Sequence, residues 1–253
     1  MDFFDSHAHY NDERFLENRD DLIKRMYKNE ITGIICAGYN LDSSIDGINF
    51  AKSFPHMYAT CGISPNDIDE NVDNNIKKIE SVASDEKVVA IGEIGLDYYW
   101  NKDNKEKQKE VFIKQIEIAD KLDLPIVIHT RDATIDTINI LKEHCPKKKG
   151  VFHCCPLNQE LIKEGLKLGF YISFSGNITF KNAKAEPCVE LVPMDKILIE
   201  TDSPYLAPEP LRGTTNISEN VKLVAKKIAE IKEISIDEIA KITFDNTKRI
   251  FRL

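Results

Sequence analysis

The chain has 253 residues, a formal net charge of −8, 42% hydrophobic residues, 11 Gly and 10 Pro. This length suits one large domain spanning residues 1–253, and the composition excludes collagen-like and disordered chains. The acidic balance argues against a broad basic face for nucleic acid, but leaves room for a local phosphate site charged by metal ions.

Short β-branched runs alternate with longer amphipathic ones. Strands are predicted at Asp2–Phe4, Gly33–Cys36, Tyr58–Cys61, Val88–Ile91, Pro125–Ile128, Val151–Phe152, Phe170–Ser173 and Lys196–Ile199. A helix is predicted over Arg14–Lys28, where Phe15, Leu22, Ile23 and Met26 share one side. Another covers Lys105–Leu122 through Val111, Phe112, Ile116 and Ala119, and Leu161, Leu166 and Leu168 mark a third. Two more close the chain, Ser218–Ile231 and Ile236–Phe251, each opening at a Ser or Asp start signal. Eight strands alternating with helices predict a parallel sheet. A dinucleotide-binding sheet needs a Gly-rich turn after its first strand, and here that strand runs into Ser6-His7-Ala8-His9. The expected fold is therefore α/β, a TIM-type (β/α)8 barrel with extra C-terminal helices. Its functional residues should sit at the C-terminal ends of the strands.

The start, Met1-Asp2-Phe3-Phe4-Asp5, lacks the basic and apolar stretches of a signal peptide, and no apolar run approaches the ~18 residues of a membrane span. Six scattered cysteines are expected as reduced thiols of a cytoplasmic protein.

Four of the six histidines fall at predicted strand ends: His7 and His9, His129, and His153. Glu93 follows the fourth strand and Asp202 the eighth. All six should face one mouth. In an extended chain residues i and i+2 project to the same side, so His7 and His9 can reach a common ion. Imidazoles with carboxylates suit Zn²⁺ and other first-row divalent metals, and the carboxylates also tolerate Mg²⁺ or Mn²⁺. His56 and His144 are expected on the surface, Lys147-Lys148-Lys149 in a solvated loop, and Cys154 and Cys155 as small buried thiols.

The segments Phe4-Asp5-Ser6-His7-Ala8-His9, Gly92-Glu93-Ile94-Gly95-Leu96-Asp97-Tyr98 and His129-Thr130-Arg131-Asp132-Ala133 resemble the TatD family of metal-dependent deoxyribonucleases. Val151-Phe152-His153-Cys154, Glu200-Thr201-Asp202-Ser203-Pro204 and Asp245-Asn246-Thr247-Lys248-Arg249 extend the resemblance across essentially the whole chain. The resemblance implies an amidohydrolase-like TIM barrel with two divalent ions. By that pattern His7, His9, Glu93 and Asp202 hold one ion, and Glu93 bridges to a second held by His129 and His153. Three departures fall near the mouth. Ser64-Pro65-Asn66 stands for the family's frequent His-Pro-His, Cys155-Pro156-Leu157 for Phe-Ser-Gly, and Thr214-Thr215-Asn216 for Lys-Arg-Asn. No expected metal ligand is lost.

The resemblance implies hydrolysis of DNA phosphodiesters, and a monomer is expected. A mouth built on short loops, with no long basic groove to hold duplex, predicts a preference for single-stranded or frayed ends. Glu93 and Asp202 are the candidate catalytic residues, Asp202 orienting or deprotonating the attacking water. Two divalent ions outweigh these two carboxylates, so a local positive balance is expected within an acidic chain. Arg131 and Arg212 are candidate phosphate clamps, with Lys181 as a further point charge. Three such contacts imply a salt slope of about −2 on single strands. Tyr98, Tyr99 and Trp100 are candidates for stacking on bases. The rival reading is an amidohydrolase or lactonase acting on a small molecule. Many such barrels bridge their metals with a carboxylated Lys, and the position here is Glu93.

Overall fold

In a computed structural model covering residues 1–253, eight parallel strands pair in sequential order. The strands are β1 (Phe3–Ala8), β2 (Ile31–Ala37), β3 (Met57–Cys61), β4 (Val88–Asp97), β5 (Ile126–Arg131), β6 (Gly150–Phe152), β7 (Tyr171–Phe174) and β8 (Ile197–Ile199). Between them lie α1 (Arg19–Tyr27), α2 (Leu41–Ala51), α3 (Val72–Val82), α4 (Lys105–Leu122), α5 (Thr134–Glu143), α6 (Gln159–Lys167) and α7 (Glu186–Leu191). Two further helices, α8 (Val221–Lys232) and α9 (Ile236–Phe251), follow β8. The barrel nearly closes between β1 and the segment after β8. There Ala8 and Ser203 form a bridge, and the Asp202 N–H donates to the His7 carbonyl at 2.9 Å.

Inside the barrel Phe4, Ile35, Val89, Val127, Val151 and Leu198 form one apolar layer, capped from below by Ile250 and Phe251 of α9. Burying such side chains stabilises by roughly 1.5–3 kcal/mol each. With the lower half of the barrel filled this way, only its upper end is left to build a site. Helix α9 opens with a capping box between Ser235 and Glu238, and Asn246 reaches from it to the Met194 and Ile197 carbonyls.

Two expectations are corrected. The first helix begins at Arg19, not Arg14, because Asp12 accepts from the Arg14 backbone and guanidinium and turns the chain first. Strand four does not stop at Ile91 but continues to Asp97. Its upper half pairs with β5, Gly95 opposite His129 and Asp97 opposite Arg131.

Candidate metal centre

Strand alternation carries the apolar layer directly into the site. Val127, His129 and Arg131 are successive inward positions of β5, and His153 continues the face of Val151. Two bulges re-aim what alternation alone would misplace. In β1 the register shifts between Asp5 and Ala8, where His7 lies. In β4 it shifts between Ile91 and Ile94, where Glu93 lies. The Glu93 N–H donates to the Gly38 carbonyl at 2.7 Å, and a side chain at Gly92 would collide with Val127. Gly95, at φ +141°, allows an equally close approach to the His129 backbone.

All six expected ligands converge. The Nε2 atoms of His7 and His9 are 3.2 Å apart. They lie 3.5 and 3.8 Å from Glu93 Oε2, and 3.8 and 3.3 Å from Asp202 Oδ1. The other Glu93 oxygen, Oε1, is 3.1 Å from His129 Nδ1 and 3.6 Å from His153 Nε2. Those two nitrogens are 3.3 Å apart. Atoms bound tetrahedrally at 2.0–2.2 Å around Zn²⁺ would stand roughly 3.4 Å from one another. The donor set therefore fits divalent metal, with the Glu93 carboxylate divided between the two groups. Asp202 takes a left-handed backbone, φ +57°, as it leaves the barrel wall.

Electrostatics couple the cluster. Burial and neighbouring His153 push His7 down. Burial also opposes charge on His9, His129 and His153, yet their carboxylate partners raise all three. Burial would lift Glu93, but His153, His129 and His7 hold it well below the usual carboxylate range. Asp202 is lowered against burial, chiefly by His9.

Two carboxylates not singled out in the sequence stand behind these ligands. Asp97 Oδ2 is 3.0 Å from His129 Nε2, and Glu200 Oε1 is 3.4 Å from His153 Nδ1. Burial would raise Asp97, but the bond to His129 brings it down to about 2. Glu200 had a signal: it sits two residues beyond the inward-facing Leu198. Asp97 had none apart from its motif. Four carboxylates, Glu93, Asp202, Asp97 and Glu200, thus surround the four imidazoles.

The expected substrate contacts separate. Arg131 lines the mouth, lies 3.8 Å over the Tyr99 ring, and forms no ion pair with a carboxylate. Arg212 instead packs 3.8 Å over Phe180, and neither it nor exposed Lys181 lines the cavity. Trp100 is exposed at the rim, whereas Tyr98 is buried and donates to Asp136 at 2.6 Å, so it offers no stacking face. Cys155 is buried as expected, but Cys154 reaches the cavity wall beside Ser175. His56 and His144 are exposed.

Comparison with known proteins identifies the family. The sequence model of the TatD related DNase family matches residues 4–252. The chain is 42% identical to YabD of Bacillus subtilis, an uncharacterized metal-dependent hydrolase, over 99% of both chains. It is 36% identical to YcfH of Escherichia coli, described in the same words, over 100% of this chain and 97% of that one. Among solved structures, the TatD homologue YJJV of Escherichia coli superposes with a TM-score of 0.93 at 25% identity, covering 99% of this chain and 98% of that one. An uncharacterized amidohydrolase of Saccharomyces cerevisiae shares the fold, with a TM-score of 0.86 at 18% identity and 99% of each chain covered. The chain belongs to the TatD family of metal-dependent hydrolases.

Proposed function

We propose that this protein hydrolyses DNA phosphodiesters from a strand end, preferring single-stranded ends, with two divalent ions as cofactors. The observation that carries the reading is the shared Glu93 carboxylate, one oxygen toward His7 and His9 and the other toward His129 and His153. Four imidazoles against two carboxylates favour Zn²⁺ or Mn²⁺ over Mg²⁺. Bound ions would supply activation of water and neutralisation of phosphate charge.

The chain's own residues do the rest. Arg131 holds a phosphate by its planar fork, already oriented by Tyr99. Asp202 accepts the proton of the attacking water from a position 3.3 Å from His9 Nε2. Water adds at phosphorus, the bond to one ester oxygen breaks, and a proton returns to that oxygen. The cavity measures about 740 Å³, enough for a terminal nucleotide but not for a duplex. Trp100, 66% exposed at its rim, offers a stacking face for the adjacent base.

The test is hydrolysis of end-labelled single- and double-stranded DNA by metal-reconstituted protein, beside a panel of lactones and cyclic amides. Turnover of single-stranded ends supports the reading. Turnover confined to the small-molecule panel, or efficient nicking of covalently closed duplex, refutes it.

A further inference from the structure

Asp97 is fully buried at the end of β4 and uses both oxygens. Oδ1 accepts from the backbone N–H groups of Tyr99 and Trp100, each at 2.9 Å. Oδ2 faces His129 Nε2 at 3.0 Å and accepts from Asn66 at 3.2 Å. Its backbone is gripped by Gln108 of α4, which accepts from the Asp97 N–H at 2.8 Å and donates to its carbonyl at 3.0 Å. A carboxylate so placed has no freedom to turn into the mouth and bind an ion itself. It also requires that His129 Nε2 carry its proton, which leaves Nδ1 as the free lone pair. That atom points at Glu93 Oε1 and His153 Nε2.

We infer that Asp97 is a positioning residue that fixes His129 to serve the second ion through Nδ1, and ties that ligand to the loop carrying Tyr99 and Trp100. The inference rests on the two-ion reading but is independent of the substrate. No comparable carboxylate backs the first pair. His9 Nδ1 faces the Ala37 carbonyl at 3.1 Å, and His7 Nδ1 is buried without a partner. Loss of the Asp97 charge should therefore weaken one ion and spare the other. The Tyr99 ring under Arg131 shares this anchor, so the Arg131 guanidinium and the His129 ligand are referenced to one side chain.

Asp97→Asn separates the two roles, because an Asn oxygen still accepts from Tyr99 and Trp100 while its amide presents a donor to His129. The experiment is a Mn²⁺ titration of metal-free protein, followed by calorimetry and electron paramagnetic resonance. Trp100, the only tryptophan, reports the loop by its emission. The expected result is two ions in the wild type. In Asp97→Asn the first ion should bind unchanged and the second about 10- to 100-fold more weakly, with wild-type Trp100 emission. Asp97→Ala should lose the second ion and shift the emission as well. Should the variants fail to fold, Mn²⁺-loaded wild type with ¹⁵N at histidine Nδ1 decides. One directly bound labelled nitrogen supports the inference, and none overturns it. Equal binding of both ions by Asp97→Asn and wild type also overturns it. A wild type that takes up a single ion refutes the two-ion reading itself.

Discussion

The Nε2 atoms of His7 and His9 face each other across 3.2 Å, with Glu93 and Asp202 oxygens on the same side. Nothing in the fold separates them, so a bound cation is the natural mediator. Removing metal should therefore cost stability as well as activity. At a free metal concentration 100 times Kd, the gain for one site is about 2.7 kcal/mol. Thermal unfolding with excess chelator and then with Mn²⁺ checks this, and equal midpoints would refute it.

Glu93 is shared by both donor groups, so its charge matters more than its shape. Glu93→Gln should lower kcat by at least ~10²-fold, as loss of a major electrostatic stabiliser does. The midpoint of unfolding in chelator should fall as well, because the buried histidines lose the carboxylate that pairs with them. A folded variant with wild-type turnover would remove Glu93 from the reaction.

Arg131 is the cation on the cavity wall, since Arg212 and Lys181 lie elsewhere. The salt slope for single-stranded DNA should accordingly be about −0.7, one phosphate, and not the −2 that three contacts would give. Arg131→Ala should raise KM for all sequences alike and flatten the slope, because a phosphate contact carries no base information. Arg212→Ala and Lys181→Ala should change neither. A steep slope in the wild type would reveal basic contacts beyond the mouth.

Asp5 lies beneath the site, bonded by Thr201 and Ser218, and burial pushes it up to about 7 from 3.8. A carboxyl raised in the folded state holds its proton more tightly there than in the unfolded chain. Its contribution is fully present below about pH 4 and is lost as pH rises through about 7. Relative to Asp5→Asn, the wild type should lose about 4 kcal/mol between pH 4 and pH 8. Denaturant unfolding of both proteins in chelator measures it. A constant difference across that range would show that Asp5 is ionised throughout.

Gly95 passes so close to the His129 backbone that a side chain there would strike its carbonyl oxygen. Gly95→Ala should cost more than about 2 kcal/mol through this clash and the positive φ, and should weaken the second ion. Chemical denaturation with Mn²⁺ titration tests both effects. An unperturbed variant would mean that β4 and β5 can part without disturbing His129.

How much of this was legible in the sequence follows from the range of each interaction. Period-two alternation placed His129 above Val127 and His153 above Val151, so these ligands and the barrel were readable from local pattern. Helices α4 and α9 match their predicted bounds because apolar spacing and flanking start signals are also local. The bulges in β1 and β4 were not readable, since a bulge is a mismatch between two strands and neither strand records it alone. For the same reason β4 was cut short at Ile91. Its upper half is strand only because β5 pairs with it. The sequence placed Arg131, Arg212 and Lys181 in the same role by charge. The tertiary structure decided between them: both guanidinium groups lie over aromatic rings, but the ring under Arg131 is Tyr99 beside the mouth and the ring under Arg212 is Phe180, away from it. Asp97 and Glu200 acquire meaning only behind histidines far away in the chain. A carboxylate's partner is chosen by the fold, while its own residue type says only that it needs one.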